Sequence, residues 1–183
     1  MSNGGGAERL AQWQADEARL RAVMRPEPGV ARPHDAVGKT GLQMMQALLA
    51  GELPPPPISR TLDFILVDVA AGRAVFQGRP GAQFLNPMGG MHGGWYATLL
   101  DSAVGCAVHT AMPAGRAYTT LELKLNIVRA VSSAVPLVRA EGQIIHVGRQ
   151  TATAEGRLVD ADGKLYAHAS TTCLVFELRD PSP

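Results

Sequence analysis

The spacing of apolar residues changes period along this 183-residue chain. Residues 7–24 hold strong helix formers, with Leu10, Trp13, Leu20 and Val23 at roughly helical spacing, and predict a first helix. Pro26, Pro28, Gly29 and Pro33 end it in a loop. A short second helix is expected over 40–50, with Thr40 as N-cap and Leu42, Met45, Leu48 and Leu49 on one side. The run Pro54–Pro57 reads as a stiff polyproline spacer. Residues 1–57 are therefore an N-terminal helical extension and residues 58–183 the main domain. Residues 1–6, Met-Ser-Asn-Gly-Gly-Gly, are expected to be disordered.

Beyond the prolines the period becomes two. Segments 61–69 and 72–79 read as a hairpin joined through Ala71-Gly72. A Gly/Pro-rich loop from Gly78 to Gly90 leads into one helix, about 92–111, apolar almost all the way round. Such a helix belongs inside a protein. Four strand candidates follow at 117–128, 136–147, 150–159 and 164–177, with turns at Gly148-Arg149 and Asp160–Gly163. The tally predicts an α+β class: a curved sheet, ending in a four-strand antiparallel meander, wrapped round one buried helix. Within 119–128, Leu121, Leu123, Leu125 and Ile127 alternate with Thr120, Glu122, Lys124, Asn126 and Val128. The leucine face is expected to cover the helix.

The central helix also carries the chemistry. Asp101 sits near its middle among Leu99, Leu100, Ala103 and Val104. A carboxylate there must be partnered, protonated or working, because burying a lone charge is costly. The helix opens on His92-Gly93-Gly94. Two glycines at a helix start leave backbone N–H groups bare, with the positive end of the helix dipole behind them. That arrangement suits a developing oxyanion, and a carboxylate suits a water or nucleophile.

Bulk properties exclude several classes. Net charge is +1, and no basic stripe with interleaved aromatics appears, so nucleic acid is not an expected partner. No apolar run is long enough to span a bilayer, and the first residues do not form a signal peptide, so no membrane role is expected. Cys106 and Cys173 lie in apolar stretches without CxxC spacing and read as reduced, buried thiols of a cytoplasmic protein. The five histidines (34, 92, 109, 146 and 168) show no ligand-type cluster, so no metal is expected. No Gly-x-Ser-x-Gly elbow is present.

Three segments resemble the hotdog-fold acyl-CoA thioesterases of the phenylacetate-degradation (PaaI-like) type. They are Asn86-Pro-Met-Gly-Gly-Met-His92-Gly-Gly-Trp-Tyr-Ala-Thr-Leu-Leu-Asp101, Thr119-Thr-Leu-Glu-Leu-Lys-Leu-Asn-Ile-Val-Arg129 and His146-Val-Gly-Arg-Gln-Thr-Ala-Thr-Ala-Glu155. The likeness covers residues 58–177 and leaves out the N-terminal third. It implies hydrolysis of an acyl-CoA to free acid and CoA, without metal or organic cofactor, by a homodimer or dimer of dimers. It implies Asp101 as general base or nucleophile, Gly93 N–H polarising the carbonyl, and Asn86 holding that carbonyl or the water. His92 would orient the loop, and Thr120 would position the water. Gly94, Val147 and Gly148 would border the substrate arm, and Arg149 and Arg129 would meet the phosphates of CoA. The alternatives are a non-catalytic acyl-CoA sensor or an enoyl-CoA hydratase, the latter needing a His–Asp pair.

Helix arithmetic bears on the implied site. Nine residues are two and a half turns, so Asp101 points away from the side of His92, roughly 13 Å along the axis. Two antiparallel helices across a two-fold can aim both groups at one carbonyl. A shared site is the expectation.

Overall fold

Helix formers open the chain: in the computed structural model, which describes residues 4–178, α1 runs Gly4–Val23. The predicted disorder of residues 1–6 does not hold for Gly4, Gly5 and Gly6, which are helical; residues 1–3 lie outside the described residues. Docking outweighs the glycines' entropic cost, since α1 is tied to the sheet by Arg9 Nη1 donating to Ala161 O at 2.8 Å. A short α2 (Pro33–Ala36) precedes α3 (Gly41–Leu49). Thr40 caps α3 as expected, and Gln43 completes a reciprocal capping box. The proline run is only half spacer. Pro56 is the N-cap and Pro57 the first residue of α4 (Pro57–Thr61), where a missing N–H costs nothing.

The sheet comprises β1 (Phe64–Ala70), β2 (Arg73–Gly78), β3 (Arg116–Ile127), β4 (Val138–Val147), β5 (Thr151–Asp160) and β6 (Leu165–Glu177). Gly72, at φ +76°, makes the β1–β2 turn where the sequence placed it. The spatial order is β1-β2-β4-β5-β6-β3, all antiparallel. This corrects the four-strand meander. Only β4-β5-β6 form one; β2 pairs with β4, and β3 lies at the far edge beside β6. The central helix α5 (Gly93–Thr110) spans the sheet and delivers the chain to that far edge, so β3 cannot neighbour β4. The architecture is the expected α+β hotdog: one long helix in a curved sheet.

Alternation along β1 and β2 decides what covers each face. Phe64, Leu66, Ala74 and Phe76 pack into the α5 cluster, while Ile65, Val67 and Val75 pack under Leu20 of α1. Both faces are covered, which explains the unbroken burial of Phe64–Val67 in β1 and Ala74–Gly78 in β2. Polar groups lock α1 in place. Glu17, 5% exposed, accepts from Arg21, Arg79 and Gln77; Asp16 pairs with Arg139, whose guanidinium also lies 4.4 Å from the Trp13 ring centroid. From α1 the chain rounds the β1 edge, and α3 settles against β1 and α5. One sheet edge is thereby covered, and β3 remains as the open one.

Close approach of α5 to the sheet rests on glycines of the strands as well as on Ala103 and Ala107 of the helix. Gly142 and Gly156 face each other across β4 and β5. A Cβ on Gly142 would lie 2.2 Å from Ala103 O, and one on Gly156 would lie 2.7 Å from Val104 Cγ1.

Candidate active site

The loop before α5 is closed on itself. His92 N donates to Phe84 O at 2.9 Å, and Leu85 and Met91 form an isolated bridge. Asn86 organises the turn between them: its Oδ1 accepts from Met88 N (2.9 Å) and Gly90 N (3.1 Å), and its N–H donates to Gly90 O (2.7 Å). Its oxygen is thus spent on its own loop, while its amide NH2 has no partner among the described residues.

His92 caps α5. Its Nδ1 accepts from Gly94 N at 2.9 Å. Only one of the two predicted bare N–H groups therefore remains free: among the described residues Gly93 N–H has no hydrogen-bond acceptor. Half-buried, with Ile127 beside it, Gly93 presents a fixed donor at the positive end of an 18-residue helix.

Asp101 lies on the one stripe of α5 that the protomer leaves incompletely covered, with Ala97, Thr98 and Ser102. Its Oδ1 accepts a hydrogen bond from Thr120 Oγ1 at 3.2 Å. Strict alternation had put Thr120 on the face opposite the leucines, away from the helix. A β-bulge reverses this. The register passes from Thr120↔Cys173 to Glu122↔Thr172, so Leu121 has no partner. Before the bulge Tyr118 and Thr120 face α5; after it Leu123 and Leu125 do, while Leu121 is turned out, 60% exposed. One extra residue re-aims a side chain at a site, a common use of bulges.

The groups around this pair are held neutral. Burial pushes the Cys106 thiol up to about 12, with the nearby Asp101 carboxylate adding to the shift. Burial likewise raises Tyr118 and Cys173, and it lowers His109, whose Nδ1 is buried without a partner. Both cysteines are free thiols, as the sequence predicted, and raised thiols are poor nucleophiles. Among the described residues no group of three or more His, Cys, Asp or Glu is arranged to hold a metal.

The remaining predicted residues fall apart within one protomer. Gly93 and Asp101 are eight residues apart on one helix, about 12 Å along the axis. His92 Nδ1 is used as a cap, and within the protomer His92 makes no pair with Asp101 of the kind a hydratase would need. Val147, Gly148 and Arg149 form the β4–β5 turn, where Arg149 O accepts from Arg116, the first residue of β3. Arg129 lies beyond the other end of β3, its N–H donating to Tyr166 O at 3.1 Å. Arg149 and Arg129 therefore stand at opposite ends of β3, whose span from Arg116 to Arg129 is at most about 40 Å at about 3.3 Å per residue. Met91, Trp95 and Tyr96 are core residues: Trp95 Nε1 donates to Leu62 O (3.0 Å), and Tyr96 OH accepts from Val131 N (2.7 Å). Sequence reasoning missed the glycine pair Gly142/Gly156 and the bulge at Leu121. The glycines gave a signal, each lying inside a strand pattern; the bulge gave none.

Residues 88–167 match the family profile of the thioesterase superfamily. A 1,4-dihydroxy-2-naphthoyl-CoA hydrolase of Listeria monocytogenes serotype 1/2a (strain 10403S) is 26% identical over 122 residues, covering 67% of this chain and 98% of the relative. A conserved protein of Pseudomonas aeruginosa has a solved structure 30% identical in sequence, with a TM-score of 0.61 over 66% of this chain and 94% of its own. A phenylacetic acid degradation-related protein of Ralstonia eutropha JMP134 is 29% identical, with a TM-score of 0.64 over 74% and 99% of the two chains. Among the described residues, no helix is long and apolar enough to cross a membrane.

Proposed function

This chain belongs to the thioesterase superfamily, and from that premise we propose that it hydrolyses an acyl-CoA to free acid and CoA at a site shared by two copies. The observation that carries the reading is the Asp101–Thr120 pair on the open stripe of α5, taken with the unpartnered Gly93 N–H. The Thr120 proton is spent on Asp101 Oδ1, so the hydroxyl lone pairs are free to accept from a water. Asp101 Oδ2 has no partner among the described residues. Water activation is therefore favoured over direct attack by the carboxylate. Asp101 takes a proton as the water oxygen bonds to the carbonyl carbon, and Gly93 N–H donates to the oxygen that gains charge. The C–S bond then breaks, and the proton leaves with the CoA thiol. This route requires neither metal nor organic cofactor. The two free thiols fit a reducing, cytoplasmic setting.

The midpoints of α5 and β3 are compatible with a two-fold site. Setting Gly93 of one α5 beside Asp101 of an antiparallel second copy puts the axis at residue 97, halfway between them. That residue is Ala97, small and half-exposed. On β3, Ile127 lies by Gly93 and Thr120 by Asp101. Their midpoint falls between Leu123 and Lys124, on the sheet's open edge. One axis thus serves both elements. Pairing β3 with its copy would also bring Arg129 of the second copy to the end of the sheet that holds Arg149. Two guanidinium groups, far apart in one protomer, would then flank one site and suit the phosphates of CoA. The Listeria relative is a 1,4-dihydroxy-2-naphthoyl-CoA hydrolase and the Ralstonia relative is related to phenylacetic acid degradation, which favours an aryl acyl group here.

The test is thiol release from short, medium, long and aryl acyl-CoAs by wild type and Asp101→Asn. A fall of at least a hundredfold in a folded, dimeric variant supports the carboxylate mechanism. Equal turnover in both removes Asp101 from the reaction, and tight binding without turnover in wild type makes the protein an acyl-CoA binder.

A further inference from the structure

We propose that a second cavity, built by the N-terminal extension on the sheet face opposite α5, binds an amphiphilic carboxylate, with its anionic group on Arg25 and Arg60 and its apolar body against Met24 and Ile65. The cavity measures about 390 Å³, within the roughly 300–1,000 Å³ usual for small-ligand sites. It lies between the end of α1, the loop that follows, Pro55, α4 and the start of β1. It shares no residue with the Asp101–Thr120 pair or the Gly93 loop.

The walls and the rim differ in character. Met24, Pro28, Pro55 and Ile65 make an apolar lining, and rigid prolines hold it open without losing rotamer freedom. A neighbouring recess of about 20 Å³ shares Met24, Pro55, Ser59 and Ile65 with it and is lined further by Leu48, Leu49 and Phe76, so the side beyond Met24 and Ile65 is apolar. Three arginines stand at the rim, and their charges are not equally used. Arg21 is neutralised by Glu17 and Asp63, each at 2.7 Å. Arg25 has no carboxylate partner among the described residues; one of its N–H groups donates to Glu52 O. Among the described residues the one carboxylate near Arg60 is Glu27 at 3.8 Å, and that glutamate is 88% exposed. Of these two arginines at the mouth of an apolar cavity, Arg25 is unpaired among the described residues and Arg60 only loosely paired, a surplus of one positive charge over Glu27. Arg25 is already oriented by a backbone carbonyl, which lowers the entropic cost of a fork-like bond to a carboxylate.

This chemistry selects a ligand that is anionic at one end and apolar at the other. A compact inorganic anion leaves the lining wet, and a neutral alcohol leaves the arginines unpaired. Octanoate, 1-octanol and inorganic phosphate separate the three. Binding to the full chain carrying Asp101→Asn is measured by calorimetry, together with methyl NMR of 13C-labelled Met24.

Saturable octanoate binding at one site per chain is expected, with displacement of the Met24 methyl resonance. Affinity should fall at least tenfold in Arg25→Gln and at least threefold in Arg60→Gln, whose exposed side chain makes loss of folding no explanation. Octanol and phosphate should bind at least tenfold more weakly. Octanoate binding that leaves Met24 unmoved, that is indifferent to both substitutions, or that is matched by phosphate or octanol overturns the proposal, as does no binding. These readouts do not depend on thioester turnover, so the cavity stands or falls separately from the proposed reaction.

Discussion

Replacing Thr120 by valine deletes one hydroxyl and keeps a β-branched side chain on β3, so fold and strand propensity are preserved. What is lost is the hydrogen bond to Asp101 Oδ1 at 3.2 Å. Hydrogen bonds to charged groups contribute about 1.5–3 kcal/mol net. Both residues are half-buried, and water can replace part of the donor, so the lower end applies. About 1.5 kcal/mol corresponds to roughly a tenfold fall in kcat when the interaction positions the reacting groups. Thr120→Ser restores the hydroxyl and should stay within about threefold of wild type by the same arithmetic. The assay is steady-state thiol release, with Tm measured in parallel to show that all three proteins are equally folded. Valine as fast as threonine, or serine as slow as valine, would refute the role given to this hydroxyl.

Four further outcomes follow from the same geometry. Ala97→Arg should split the dimer and abolish turnover together, by sedimentation and activity; an active monomer or an intact dimer would move the two-fold elsewhere. Gly142→Ala drives a Cβ to 2.2 Å from Ala103 O, so α5 must lift from β4, at a cost of at least the 1–3 kcal/mol typical of overpacking, read by denaturant unfolding. At Glu17 burial raises the carboxyl, but hydrogen bonds from Arg21 and Arg79 outweigh it, and the net shift is downward from 4.5. Its stabilisation is therefore present above pH 4.5 and fades as pH falls through the lowered value, so urea stability should drop as pH falls below 4.5, less steeply in Glu17→Gln. With the thiol of half-buried Cys106 near 12 and that of buried Cys173 also raised, iodoacetamide at pH 8 should label neither in the folded protein and both after unfolding; fast native labelling would contradict the raised thiols.

Much of this protein is written locally. Helix formers, caps and period-two segments set α1, α3, α5 and all six strands to within a few residues, because those signals act over one or two turns. Thr40 and Gln43 close a capping box from a four-residue pattern, and His92 caps α5 from the triplet that marks it. The separation of Asp101 from the start of α5 was equally legible, since helix arithmetic needs only sequence distance. The Gly94 N–H was misjudged because the His92 rotamer, and not the glycine, decides whether it is bare.

Long-range choices were set by the tertiary structure. β3 sits at the far edge because α5, crossing one face, leaves it there, and a meander written in strand order cannot express a crossover. The bulge at Leu121 turns Thr120 onto Asp101, since a strand's phase is fixed by what packs on it at both ends, here Tyr118 at one and Leu123 at the other. The extension became the cover of the opposite sheet face, because Ile65, Val67 and Val75 have apolar side chains that Leu20 of α1, Met24 and Leu49 of α3 cover. The chain by itself determined the elements and the chemical groups, which depend on neighbours in sequence. Which groups meet was decided by packing, where burying apolar surface on both faces of the sheet outweighs local preference.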